Sequence, residues 1–172
     1  NTINDIALLN GELEREREGI VDKIERINHS LVALDYNEGT YIKLEQEHNP
    51  DMDIRQFRED LRNCLGDTLN QSGNEIYSEN KFQMVKRLID RFKGREGLST
   101  EDQRWTQKVT DVRNWYSFAA SERWKADDVE RERYSDSSGK SGGQKEKLAY
   151  TILASALAYQ FGLEWGETQS RS

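Results

Sequence analysis

The sequence predicts a mixed fold of the α+β class, entered through a helical arm, and three observations carry that prediction. Residues 3–34 keep a seven-residue apolar repeat. Short alternating or aromatic runs at 40–47, 112–123 and 129–134 read as strands, while 52–65, 78–92 and 145–161 return apolar residues at helical spacing. Composition agrees with a core set beside something solvated. Of 172 residues, 34% are hydrophobic and 33% charged, with a net charge of -7 and a mean hydropathy of -0.97. Counting Gly in place of Tyr brings the apolar share to roughly 37%, against about 45–50% in an ordinary soluble domain. Yet four Trp, seven Tyr and five Phe are too many aromatics for a disordered acidic chain.

The arm comes first. Ile3, Asn10, Arg17, Ile24 and Leu31 share one seam position, and Ile6, Leu13, Ile20, Ile27 and Leu34 share the position three residues on. The residues between them are mostly Glu, Arg, Asp and Lys, so the pattern reads as one strand of a left-handed coiled coil over residues 1–35. Asn10 and Arg17 interrupt the seam in the way that fixes register. The competing reading is an amphipathic helix lying on a globular core, which predicts a wider apolar stripe. No later segment repeats the heptads, so the expected partner helix lies outside these residues. With Asn1 where an initiator Met would stand, the chain is expected to be part of a longer polypeptide.

Residues 36–172 read as the globular part. Asn37-Glu38-Gly39 supplies turn chemistry, and Thr40 to Glu47 alternates as a half-buried strand with Ile42 and Leu44 inward. Asn49-Pro50-Asp51 breaks it, and Ile54, Phe57, Leu61 and Leu65 define a helix over Met52 to Leu65, ending at Gly66. Gly66 to Asn74 is a connection. The next helix, Ser78 to Phe92, is expected to bury Phe82, Val85, Ile89 and Phe92. Its Lys86, Arg87 and Arg91 form the centre of a basic run that suits a nucleic-acid backbone or a solvated face. Gly94 to Thr100 reads as a loop. Val112 to Arg123 is an aromatic strand, and Val129 to Tyr134 a more exposed one paired to it, with Val129, Arg131 and Arg133 on one face.

The chemistry is concentrated at residues 135–144, Ser-Asp-Ser-Ser-Gly-Lys-Ser-Gly-Gly-Gln, which lead into a nearly apolar helix from Lys145 to Phe161. Gly139-Lys140-Ser141 imitates the end of a P-loop, but that motif needs a glycine at position 134, where Tyr134 stands, and a buried apolar strand before it. The P-loop is therefore rejected. Ser141-Gly142-Gly143-Gln144 instead opens a helix, where N–H groups and the macrodipole favour an anion, two glycines allow close backbone approach, and the Ser141 hydroxyl adds a donor. The plainer alternative is a glycine-rich cap on an ordinary helix. His29, His48 and Cys64 stand apart, which speaks against a metal cluster and against a Cys–His nucleophile.

The Ser141 to Gln144 tetrapeptide resembles the signature motif of ABC-type ATPases. Together with residues 36–42, Tyr-Asn-Glu-Gly-Thr-Tyr-Ile, residues 53–58, Asp-Ile-Arg-Gln-Phe-Arg, and the Ala-rich helix after Lys147, it resembles the C-terminal head lobe of SMC-like ATPases. The likeness is strongest to their MukB/MksB-like branch and the JetC-type subunits of bacterial Wadjet anti-plasmid systems. The resemblance implies that two heads sandwich ATP, with Ser141, Gly142 and Gly143 reaching the γ-phosphate in trans and Gln144 holding the loop. Lys140 departs from the family's usual Leu.

The same resemblance implies ATP with Mg²⁺ as cofactor, a homodimer through the heads, a missing N-terminal lobe and coiled-coil strand, a kleisin subunit and double-stranded DNA as partners. It implies a bacterial cytoplasmic setting, associated with nucleoid or plasmid. The lone Cys64, the absence of a signal-peptide pattern and the lack of ~20 apolar residues in a row point the same way. No Asp-Glu-terminated strand for Mg²⁺ and water activation follows Trp165, so these residues offer half of a composite site and no catalytic residue of their own. An SbcC-type repair ATPase and a non-enzymatic coiled-coil adaptor are the alternatives.

Overall fold

A helix of thirty residues, α1 (Thr2–Leu31), opens the chain in a computed structural model that describes residues 2–66, 75–135 and 142–160. After it come β1 (Thr40–His48), α2 (Met52–Leu65), α3 (Glu75–Lys93) and α4 (Ser99–Val109). A 3₁₀ turn over Val112–Trp115 leads into β2 (Tyr116–Trp124), β3 (Glu130–Tyr134) and α5 (Gly142–Gln160). The chain forms two compact units. Asn1–Glu18 joins His48–Tyr116, and Gly19–Glu47 joins Ser117–Ser172. The mixed helix and sheet content agrees with the α+β expectation.

The heptad pattern does produce one long helix, but its seam is not left bare for a partner. Ile6 and Leu13 are buried in the first unit, and Leu31 in the second, where Ile24 and Ile27 pack against the core. Ile3 stays exposed and Ile20 half-buried. Each fully buried aliphatic side chain is worth about 1.5–3 kcal/mol. Much of the apolar stripe that reads as an empty seam is thus already used within the chain.

In the first unit, α2 has the bounds its spacing predicts. Asp51 caps it, its carboxylate accepting the N–H groups of Asp53 at 2.9 Å and Ile54 at 3.2 Å, and Ile54, Phe57, Leu61 and Cys64 are buried. The α3 stripe departs from expectation. Val85 and Leu88 are buried, Ile89 and Phe92 half-buried, and Phe82 lies exposed, because the face turned inward follows positions 81, 84, 85, 88 and 92.

The loop expected over Gly94 to Thr100 ends early, at Leu98, where α4 begins, a helix the sequence reading misses. Its inward stripe is Asp102, Trp105 and Val109. A carboxylate on the buried face hides the apolar period that would have revealed it. Trp105 meets Phe57 edge-on with centroids 5.7 Å apart and Phe92 at 5.4 Å. The strand expected from Val112 begins only at Tyr116, since Val112 to Trp115 make a 3₁₀ turn that sends the Trp115 indole N–H to the Val109 carbonyl at 2.7 Å.

Asp102 is tolerated inside because it is fully engaged. The Arg95 guanidinium binds both carboxylate oxygens at 2.8 and 2.9 Å, the Arg95 backbone N–H adds a bond at 2.9 Å, and Arg91 lies 3.6 Å away. These hydrogen bonds hold the Asp102 carboxyl well below the usual carboxylate range. A group depressed in the folded state adds stability above its unfolded pKa of about 3.9 and loses it as pH falls toward the folded value. Asp102→Asn should therefore lower the urea midpoint at pH 7, with a gap from wild type that narrows steadily below about pH 4.

The second unit is built on a three-stranded sheet in the order β1-β2-β3, with β2 and β3 antiparallel. Ala120 faces Tyr134 and Glu122 faces Glu132, but Arg123 pairs with Glu130, so Arg131 is an extra residue at a bulge. That bulge separates residues expected on one face. Arg131 turns to the buried Glu122 at 3.0 Å, whereas Arg133 pairs with Glu47 and Glu130. The core holds Leu31, Tyr36, Ile42, Leu44, Ala120 and Tyr134, with Leu148 and Ile152 of α5 packed on it.

Candidate functional site

Three residues of the Ser141 to Gln144 segment are described, and they sit where the helix begins. Gly142, Gly143 and Gln144 form the first turn of α5, all exposed, while Lys140 and Ser141 lie outside the described residues. The first four N–H groups of a helix have no acceptor within it, and the dipole adds partial positive charge there. A Cβ built on Gly142 or Gly143 meets nothing within 4 Å. Among the described residues nothing demands glycine at either position. The free approach suits a bulky anion such as a terminal phosphate reaching the backbone.

Further along, α5 is anchored on one side. Leu148 and Ile152 are half-buried and Ser155 is buried, while Tyr150 and Leu153 are exposed at 66% and 54%. Among the described residues, this nearly apolar helix is covered along one side.

Beneath the start of α5 lies a polar cluster that the sequence reading misses. Glu122 is fully buried on the inner face of β2. Its Oε2 accepts from Asn37 Nδ2 and Thr40 Oγ1, each at 2.8 Å, and its Oε1 accepts from the Tyr134 hydroxyl and Arg131 Nη1, each at 3.0 Å. Burial alone would raise its pKa, but these four donors and the Arg131 charge outweigh it and hold the carboxyl below its ordinary value. The neighbouring Tyr134 phenol is pushed up by burial and then by the carboxylate it donates to.

The loop that presents Asn37 is itself fixed. Asn37 to Thr40 close a turn through a Thr40 N–H bond to the Asn37 carbonyl at 3.1 Å, with Gly39 at the positive φ of 79° that the third residue of a type II turn requires. Lys147 completes the set. Its ammonium donates to Asn37 Oδ1 at 2.6 Å and lies 4.4 Å from the Tyr36 ring centroid. Replacing Glu122 by Gln turns one acceptor oxygen into a donor facing two donors, so Glu122→Gln should cost about 2–3 kcal/mol in urea unfolding at pH 7.

The basic residues of α3 do not act as a set. Lys86 and Arg87 are exposed, with no ion-pair partner among the described residues, whereas Arg91 is half-buried, stacks over Trp105 at 4.1 Å and faces Asp102. Its charge serves the core of the first unit. Among the described residues no group of three His, Cys, Asp or Glu is placed to hold a metal ion, and no helix is long and apolar enough to cross a membrane.

Residues 107–172 match a family model described as SbcC/RAD50-like, Walker B motif. The matched stretch runs from the end of α4 through both antiparallel strands, the Ser141 to Gln144 segment and α5. It supports an ATPase family of the SMC/ABC type, one that uses nucleotide and Mg²⁺. Residues 137–172 carry no aspartate, and their carboxylates are Glu146, Glu164 and Glu167. No curated protein gives a significant match.

Proposed function

We propose that these residues are part of an SMC-like ATPase head that supplies the signature motif to an ATP held by a second head. The carrying observation is the segment Ser141 to Gln144, whose Gly142, Gly143 and Gln144 open a 19-residue helix, inside a stretch that matches an ATPase family model. In this reading Ser141, Gly142 and Gly143 contact the γ-phosphate in trans, Gln144 holds the loop and Lys140 stands beside it. The P-loop comes from the N-terminal lobe and the Asp-Glu carboxylates for Mg²⁺ from outside these residues, and the exposed Tyr150 and Leu153 give the N-terminal lobe an apolar face to pack on. Head engagement driven by ATP then moves the arm rooted in α1, as an SMC-like machine does when it acts on DNA by condensation, loop extrusion or plasmid restriction, with a kleisin bridging the homodimer.

In the full-length protein, Ser141→Arg should abolish ATP-dependent head dimerisation and DNA-stimulated hydrolysis; turnover at the wild-type rate would remove the reading. Gly143→Ala is the sharper variant. Helix propensity alone makes it neutral or stabilising by up to about 1 kcal/mol, so an intact melting temperature with kcat reduced at least about tenfold isolates the phosphate contact. A response in partner binding but none in nucleotide chemistry would instead favour a coiled-coil adaptor.

A second reading within the class is an SbcC-type repair ATPase that works with a nuclease subunit in place of a kleisin, and the description of the matching family favours it. Purification of the native complex separates the two by which subunit it retains. In both readings Lys86 and Arg87 are the candidate DNA contacts on α3. Reversing both charges should reduce the log–log slope of DNA affinity against salt by about 2 without altering ATP binding; an unchanged slope removes α3 as a DNA surface.

A further inference from the structure

Resting on the ATPase reading, we infer that Lys147 is a positioning residue that ties the first turns of α5 to the loop ending α1 through Asn37 and the buried Glu122. Residues 142–147 are all exposed, and the Lys147 ammonium reaches from this part of the helix to the loop after α1. Leu148 enters the core one residue later.

Asn37 joins the two ends because its amide has a donor side and an acceptor side. The donor side faces Glu122 and the acceptor side faces Lys147, so both contacts require one orientation of one group. Glu122 in turn is held by Thr40, Tyr134 and Arg131, which makes the donor side the rigid one. The loop also returns its backbone to this cluster: the Asn37 N–H binds Thr40 Oγ1 at 3.0 Å, and the Tyr36 N–H binds the Thr40 carbonyl at 3.0 Å. The C-terminal end of α1 leads into it directly, with Leu31 and Tyr36 in the same core. A shift of the α1 end therefore displaces Asn37, and Lys147 carries that displacement to the turn that meets the phosphate.

Hydrogen exchange and ATP turnover of the full-length protein test this with three variants. Lys147→Met keeps the apolar stem on Tyr36 and removes the ammonium. Asn37→Asp keeps an acceptor for Lys147 but sets a second carboxylate against Glu122. Lys147→Arg restores a donor. Because the first four amides of α5 lack intrahelical partners, the protected probes are the N–H groups of residues 146–150.

Lys147→Met and Asn37→Asp should exchange about three- to fivefold faster there without nucleotide, as expected for loss of one partly exposed charged hydrogen bond, and Lys147→Arg should restore protection. The first two should lower kcat, leave the KM for ATP unchanged, and weaken ATP-dependent head dimerisation. Wild-type exchange at residues 146–150 in Lys147→Met overturns the link; altered exchange with unaltered kcat overturns the positioning role. If the wild-type protein does not hydrolyse ATP, the functional reading falls and the positioning role with it, while the exchange comparison still decides whether the link exists.

Discussion

A carboxylate buried in a three-stranded sheet is the constraint around which the second unit is arranged. Glu122 has no access to water, so every lone-pair direction it offers must be met by the protein or the fold loses several kcal/mol. Four donors meet it, and each comes from a different place: the turn after α1, the first residue of β1, the end of β3 and the bulge in β3. The bulge at Arg131 follows from this need. In a regular ladder Arg131 would lie on the opposite face; one extra residue brings its guanidinium to the carboxylate. The type II turn at Asn37 to Thr40 answers the same requirement, since it presents the Asn37 amide and the Thr40 hydroxyl to one oxygen.

The first unit solves a comparable problem with Asp102. There the donors come mainly from a single residue, Arg95, through its guanidinium and its own backbone N–H, with Arg91 completing the charge balance while stacked on Trp105. The two solutions differ in reach. Asp102 and Arg95 are seven residues apart, and their pairing fixes the local junction of α3 and α4. Glu122 binds Asn37 across 85 residues, so it ties together segments that chain connectivity leaves independent.

Those separations explain what could be read from the chain alone. Helix α2 was fully legible, because its cap, its stripe of Ile54, Phe57 and Leu61 and its terminal Gly66 are all local signals. Helix α4 was not, because the inward position that periodicity needs to be apolar is Asp102. Phe82 misled in the opposite sense, an aromatic on the outer side of α3. At the candidate site the glycine segment was legible as chemistry tied to a short spacing, whereas Glu122, Asn37 and Lys147 carry no local pattern at all. Asn37 and Lys147 meet across 110 residues. A Glu near the end of a strand followed by Arg123 reads as a solvated edge until tertiary structure places it inside.

A helix that is apolar all round is normally fixed by burial on every side. Among the described residues α5 is covered along Leu148, Thr151, Ile152, Ser155 and Ala156 while Tyr150 and Leu153 stay exposed, and its first turn carries two glycines, the residues that order a helix least. Open glycines allow an anion to approach, and directed donors are what stabilise a charged ligand. Lys147 sits one and a half turns beyond Gly142, close enough to orient that turn yet far enough to leave the backbone clear. The glycine opening and the Lys147–Asn37–Glu122 anchor thus meet opposing requirements on one helix, access at its tip and rigidity just behind it.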